Sequence, residues 1–337
     1  MHQQFKAALY NHDVPTIEKL LCTFPYSNLC LWTLLLSCWL GDNNIVQMVF
    51  KYSGTRWLNT HAPKYLLKWY THDLNFLSGW TALTLAVYSA WPEVVATILA
   101  ITGINPNVPS SVERLGGTTP LIYAFLRAHH VENPDRAIII KMLLANAETD
   151  VNGTDAQGST ALHIAVRMPD LPVSALLALV KHPNININMR DNHGRTALHV
   201  LTSPFNGINT ALTRQAMSIL LAIDGIDVNA LDLFWTTPLS NLIANTDFQD
   251  RDLPALQMLL EHTALEKTST DGRFNTPLHV AVGEAASHAV DSIVKIIGLE
   301  DCNTSNEAGE TPLLMAIFRV RRSHNGRSYD VHGKSQH

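Results

Sequence analysis

Apolar residues recur every third and fourth position along most of seven stretches of this chain, the spacing that gives a helix one apolar face. The stretches read NIVQMVFKYS from Asn44, PEVVATILAI from Pro92, AIIIKMLLAN from Ala137 and VSALLALVKH from Val173. They continue with RQAMSILLAI from Arg214, LPALQMLLEH from Leu253 and AVDSIVKIIG from Ala289. Polar connectors follow: INPNVPS, TDVNGTDAQG, NININMRDNHG and IDVNALD. Asn and Asp tolerate left-handed backbone and bond their own main chain, so these segments predict turns. The most apolar run, Leu29 to Leu40, stops at Gly41-Asp42-Asn43-Asn44. It is well short of the ~20 residues a bilayer span needs, so it predicts a buried helix.

Ahead of most of these helices stands a second, shorter pattern. It reads GSTALHIA from Gly158 and GRTALHVL from Gly194. Weaker copies are GWTALTLA at Gly79, GTTPLIYA at Gly117, NTPLHVA at Asn275 and GETPLLMA at Gly309. WTTPLSNL at Trp235 loses the Gly and the Ala, and LWTLLLSC at Leu31 keeps little beyond Thr33 and Leu35. The threonines Thr33, Thr81, Thr119, Thr160, Thr196, Thr237, Thr276 and Thr311 are spaced by 48, 38, 41, 36, 41, 39 and 35 residues. A period in this range predicts stacked supersecondary units. Gly ahead of Thr permits a positive φ at a sharp turn. Thr can cap the orphan N–H groups of the first helical turn, and a following Pro suits the first helical position. Leu and a small residue three positions on share one helix face, where the small residue admits a neighbouring helix.

This cycle resembles the ankyrin repeat, in which T-P-L-H-x-A opens a short helix and a longer helix and a turn follow. The resemblance runs from Thr33 to about Ile317, with strong motifs at Gly158, Gly194 and Asn275. It implies an all-α, ankyrin-type helical-repeat solenoid of about eight to nine units, with an inserted segment near the N-terminus. Most periods exceed the usual repeat, so the excess is expected in loops: RAHHVENPDR at Arg127, TSPFNGINTALT at Thr202 and NTDFQDRDLP at Asn245. His163, His199 and His279 fall at one motif position and invite a metal or catalytic reading. The copies without His carry Leu36, Thr84, Ile122, Ser240 and Leu314 there, so the histidines are read as ties between the helix start and neighbouring backbone.

The expected organisation is a capping helix pair over 1–27, a degenerate repeat over 28–53, an aromatic-rich insertion over 54–78, ankyrin repeats over 79–318 and a basic polar tail over 319–337. The insertion holds Trp57, Tyr65, Trp69, Tyr70 and Phe76 among Arg56, Lys64 and Lys68. Aromatics among bases can stack nucleobases, but an inserted helix packing on the repeats is the preferred reading. The chain of 337 residues is 46% hydrophobic and 16% charged, with a net charge of −5. That balance argues against general nucleic-acid binding. Cys22, Cys30, Cys38 and Cys302 match no zinc spacing and read as reduced thiols of an intracellular protein, cytoplasmic or nuclear.

No nucleophile elbow, phosphate loop, dinucleotide fingerprint or H-E-x-x-H is present in the sequence. No cofactor, metal site or catalytic residue is assigned. By position, the resemblance puts the residues after each motif on the concave side: Tyr88 and Trp91, Arg127 and His129, Arg167, Phe205, then Asn245 and Asp247. Aromatics mixed with Arg are typical of protein-binding hot spots. The primary expectation is therefore an intracellular scaffold or adaptor that holds another protein in its groove and turns. The alternative is an enzyme or binder of a small hydrophobic ligand, with a pocket closed by the 54–78 insertion.

Overall fold

A computed structural model describes residues 7–8, 11–25, 27–62, 78–111, 116–126, 134–168, 173–203, 211–244, 253–266, 270–284, 287–297 and 300–319. Among these residues the chain is helix and turn, with one isolated bridge between Thr154 and Thr160. It divides into two compact units, Met1–Asn186 and Ile187–His337.

The first unit runs α1 (Val14–Thr23), α2 (Asn28–Leu40), α3 (Asn43–Ser53), α4 (Ala82–Tyr88), α5 (Pro92–Leu99), α6 (Pro120–Phe125), α7 (Pro134–Ala145), α8 (Ala161–Arg167) and α9 (Val173–Val180). The even-numbered helices pack in succession as one layer. The odd-numbered helices from α1 to α9 form the other, and each repeat pairs one helix from each layer. The second unit repeats the arrangement. Helices α10 (Ala197–Thr202), α12 (Pro238–Ile243) and α14 (Pro277–Gly283) pack in one row, and α11 (Ala211–Leu221), α13 (Leu253–Leu260) and α15 (Ser287–Ile297) in the other. Residues 312–319 are helical and close the described part.

The short helices start as their motif requires. Thr81, Thr119, Thr160, Thr196, Thr237 and Thr276 hold extended N-cap backbone, and Pro120, Pro238 and Pro277 open their helices. Gly79, Gly117, Gly158, Gly194 and Gly309 all take positive φ. Thr33 departs from this scheme. It lies inside α2, buried, and its hydroxyl donates to the Leu29 carbonyl at 2.7 Å. The first helix of that repeat begins earlier than the motif register, because Asn28 and its apolar successors extend it toward the N-terminus. Helix α2 is buried from Leu29 through Cys38, packed by α3 and α4, so it shows no polar face. Helix α11 begins at Ala211, inside the stretch expected to be loop.

Connector asparagines bind successive repeats. Asn59 donates its amide to Gly103 O and accepts from Asn105 N–H. Asn107 does the same with Glu148 and Asp150, and Asn152 with Asn184 and Asn186. In the second unit Asn188 joins Gly225 and Asp227, and Asn229 joins Ala264 and Glu266. Each amide thus satisfies one carbonyl and one N–H that a turn would otherwise leave to water. Within the stretch expected as an insertion, 54–78, Ala62 is tied to the start of the next repeat: Ala62 N donates to Trp80 O at 3.0 Å and Gly79 N to Ala62 O at 2.9 Å. The centre of that stretch, 63–77, lies outside the described residues.

Candidate protein-binding surface

The motif histidines face inward. His199 Nδ1 accepts from the Thr196 N–H at 3.2 Å, and Nε2 lies 3.0 Å from Thr236 O in the next repeat. A nitrogen that accepts from a backbone N–H carries no proton, so Nε2 holds it and donates to the carbonyl. His279 repeats this with Thr276 N–H and Glu310 O, and His163 accepts from Thr160 N–H. Burial pushes the His199 pKa down, and the Thr236 carbonyl opposes this only in part. His199 and His279 thus join helix start to neighbouring repeat, as their sequence position implied, and His163 ties the start of its own helix.

An aromatic cluster forms among the first helices of the first unit. Tyr88 is the last residue of α4 and is half-buried. Its ring stacks on Trp39 of α2 with centroids 6.4 Å apart and an 18° tilt. Trp80, just ahead of α4, lies 4.8 Å from Tyr88 and 4.9 Å from Tyr123 of α6. Tyr123 meets Tyr88 edge-on at 6.0 Å. These are favourable offset and edge-to-face geometries. The buried Tyr123 hydroxyl is matched by Ser110 Oγ at 2.7 Å, and burial raises its pKa.

Trp91 extends the cluster. Its indole N–H donates to Trp39 O at 3.1 Å. The ring lies over Gly41, where an added Cβ would come within 2.5 Å of Trp91 Cδ2, so glycine makes room for the indole. Trp91 is nevertheless 42% exposed. Trp91 is thus fixed on one side and open on the other, which lowers the entropy lost when a partner covers it. Arg167 ends α8 and is exposed.

The structure therefore brings Tyr88 and Trp91 together around Trp39 and places Arg167 at the end of a first helix in the same unit. Arg127, His129, Phe205, Asn245 and Asp247 lie outside the described residues. Sequence reasoning passed over Trp39, Trp80 and Tyr123. Each lies inside an apolar segment that marks a helix or motif, and nothing local distinguishes a ring in the cluster from ordinary core. Cys30 and Cys38 are buried free thiols, and burial raises the pKa of both.

Helix pairs in two layers, threonine-capped turns and linked connectors define an all-α helical-repeat fold. The ankyrin repeat family model (3 copies) matches residues 129–232, so that stretch of the chain is built of ankyrin repeats. It is 30% identical over 143 residues, 42% of its length, to a probable serine/threonine-protein kinase of Dictyostelium discoideum. It is 27% identical over 133 residues, 40% of its length, to Rabankyrin-5 of Homo sapiens. The matches span 15% and 10% of those two proteins. The crystal structure of the ankyrin repeat domain of Bcl-3, of the IkappaB protein family, aligns with a TM-score of 0.57 at 23% identity. That alignment covers 72% of this chain and 99% of the other, and the likeness is one of fold. Stacked repeats of this class present extended surfaces that serve protein–protein interaction. Among the described residues no helix is long and apolar enough to cross a membrane.

Proposed function

We propose that the chain is a protein-binding module acting as an intracellular scaffold or adaptor, and that the Trp39–Tyr88–Trp91 face of its first unit is a docking surface. The observation that carries this reading is Trp91, an indole locked by a hydrogen bond and a glycine seat yet 42% exposed. Large rigid aromatics that are already ordered are the residues on which interfaces spend least entropy. Arg167 supplies a charge on the same unit for a carboxylate of the partner. The buried free thiols support a reducing compartment, cytoplasm or nucleus.

The test is affinity capture from native cells with quantitative mass spectrometry, using the wild type, Tyr88→Ala and Arg167→Ala. Partners that reach from this face along the first helices to Arg167 should fall about tenfold in yield with Arg167→Ala, the size of one charge-assisted hydrogen bond. Tyr88→Ala should reduce the same set. A partner set unchanged in both variants would sink the proposal.

A further inference from the structure

The second unit carries four consecutive finger turns, Asp191–Thr196, Asp232–Thr237, Asp271–Thr276 and Asn306–Thr311. They share one construction. The first side chain accepts from the N–H groups two and four residues on: His193 and Arg195, Phe234 and Thr236, Arg273 and Asn275, Ala308 and Glu310. The fourth residue takes positive φ, and two fingers fill that place with Gly194 and Gly309. The middle two fill it with Trp235 at φ 60° and Phe274 at φ 57°. A bulky side chain there is a real outlier, and such strain is retained where the surroundings or a function demand it.

The side chains so placed are not covered. Leu233 is 66% exposed, Phe234 72%, Trp235 61% and Phe274 60%. Two of them are nonetheless seated. A Cβ on Gly272 would lie 2.4 Å from Trp235 Cβ, and one on Gly194 would lie 3.1 Å from Leu233 Cγ. Neighbouring fingers are stitched by Leu233 N–H to His193 O, Gly272 N–H to Trp235 O and Glu307 N–H to Arg273 O. The result is a rigid apolar row of roughly 500 Å², near the upper end of what a monomer leaves open. Charge completes it. Among the described residues no carboxylate pairs with exposed Arg273, while Asp232 and Asp271 are turned onto their own backbones. The exposed Glu307 stands in the next finger.

We propose that this row is a self-association surface whose occupant is a second copy of the chain, related by a two-fold axis. The two-fold lays the Trp235 finger of each copy on the Phe274 finger of the other, so that Arg273 meets the aromatic side chains of the partner's Trp235 finger as a cation over a ring face. Interfaces between identical chains are also the more apolar kind. About 1,000 Å² buried in total is the size of a weak, reversible dimer.

The test is sedimentation velocity on the whole chain up to ~100 µM, where a weak interface of this area associates. The wild type should rise toward twice the 37.3 kDa of one chain as concentration increases. The double variant Trp235→Gly with Phe274→Gly restores the residue other fingers carry and should fold at least as well, yet stay monomeric. Arg273→Glu should also stay monomeric, because a carboxylate is repelled by the ring faces that the guanidinium would cover. A wild type that stays monomeric throughout overturns the proposal, whether the row then binds phosphatidylserine vesicles or an unrelated protein. So does a dimer that survives the double glycine variant, or one that Arg273→Glu leaves unchanged.

Discussion

His199 joins the start of α10 to the following repeat through a single neutral ring, with one nitrogen accepting from Thr196 and the other donating to Thr236. Its pKa is lowered in the folded protein, so the unfolded chain takes up a proton first as pH falls. Its contribution is therefore intact above the unfolded value near 6.5 and declines below it, until the folded ring also titrates. Thermal melts from pH 8 to pH 5 should show a falling Tm, and His199→Thr should flatten this slope. Thr is a fair exchange because Thr84 fills the same cap position in an earlier repeat. At neutral pH that variant should lose about 1 kcal/mol for the missing bond to Thr236 O. Gly194 is equally constrained. At φ +75°, a Cβ there would meet Leu233 N at 2.9 Å. Gly194→Ala should lower stability by about 1–3 kcal/mol in urea unfolding.

Among elements, the finger turns and the short helices follow opposite rules. A short helix is held by burial: Leu162 and Ala165 of α8 are both nearly inaccessible. Leu162→Ala should cost about 2–5 kcal/mol, read from the shift in urea midpoint. A finger is held by its own hydrogen bonds, so exposed side chains on it can be exchanged cheaply. Trp235→Gly should raise stability by about 1 kcal/mol, since it releases left-handed backbone strain and gives up only the seat on Gly272. A rise in Tm for a Trp-to-Gly exchange would separate the strain argument from ordinary packing loss. Both rules explain what the sequence made legible. Thr caps, Pro at the first helical position and Gly at positive φ act within one turn, so residues a few positions apart reveal them. Thr33 shows the limit, because extension of α2 back to Asn28 overrode the local motif.

For the molecule as a whole, stability is a sum over neighbouring repeats, and buried thiols report when a repeat opens. Cys38 is fully buried in α2 with its pKa raised, whereas Cys22 is exposed. Alkylation with iodoacetamide should modify Cys22 within the mixing time of a slow assay. Cys38 should react only at a rate that climbs with urea, in step with unfolding of the surrounding helices. Modification of Cys38 in the absence of denaturant would mean that the α2 layer is far looser than its burial indicates.

The amino-acid sequence by itself determined the repeat, its period, its capped helix starts and the inward role of the motif histidines. Each of these is local or repeats often enough to be compared with itself. Only the tertiary structure decided which aromatic residues meet. Trp39, Trp80, Tyr88 and Tyr123 come from three different first-helix segments, and their contact depends on how layers stack. The tertiary structure also decided that Trp91 sits on Gly41, and that Leu233, Phe234, Trp235 and Phe274 remain uncovered. An apolar side chain becomes core or surface according to what the neighbouring repeat sets against it, and no window of sequence around the residue contains that neighbour.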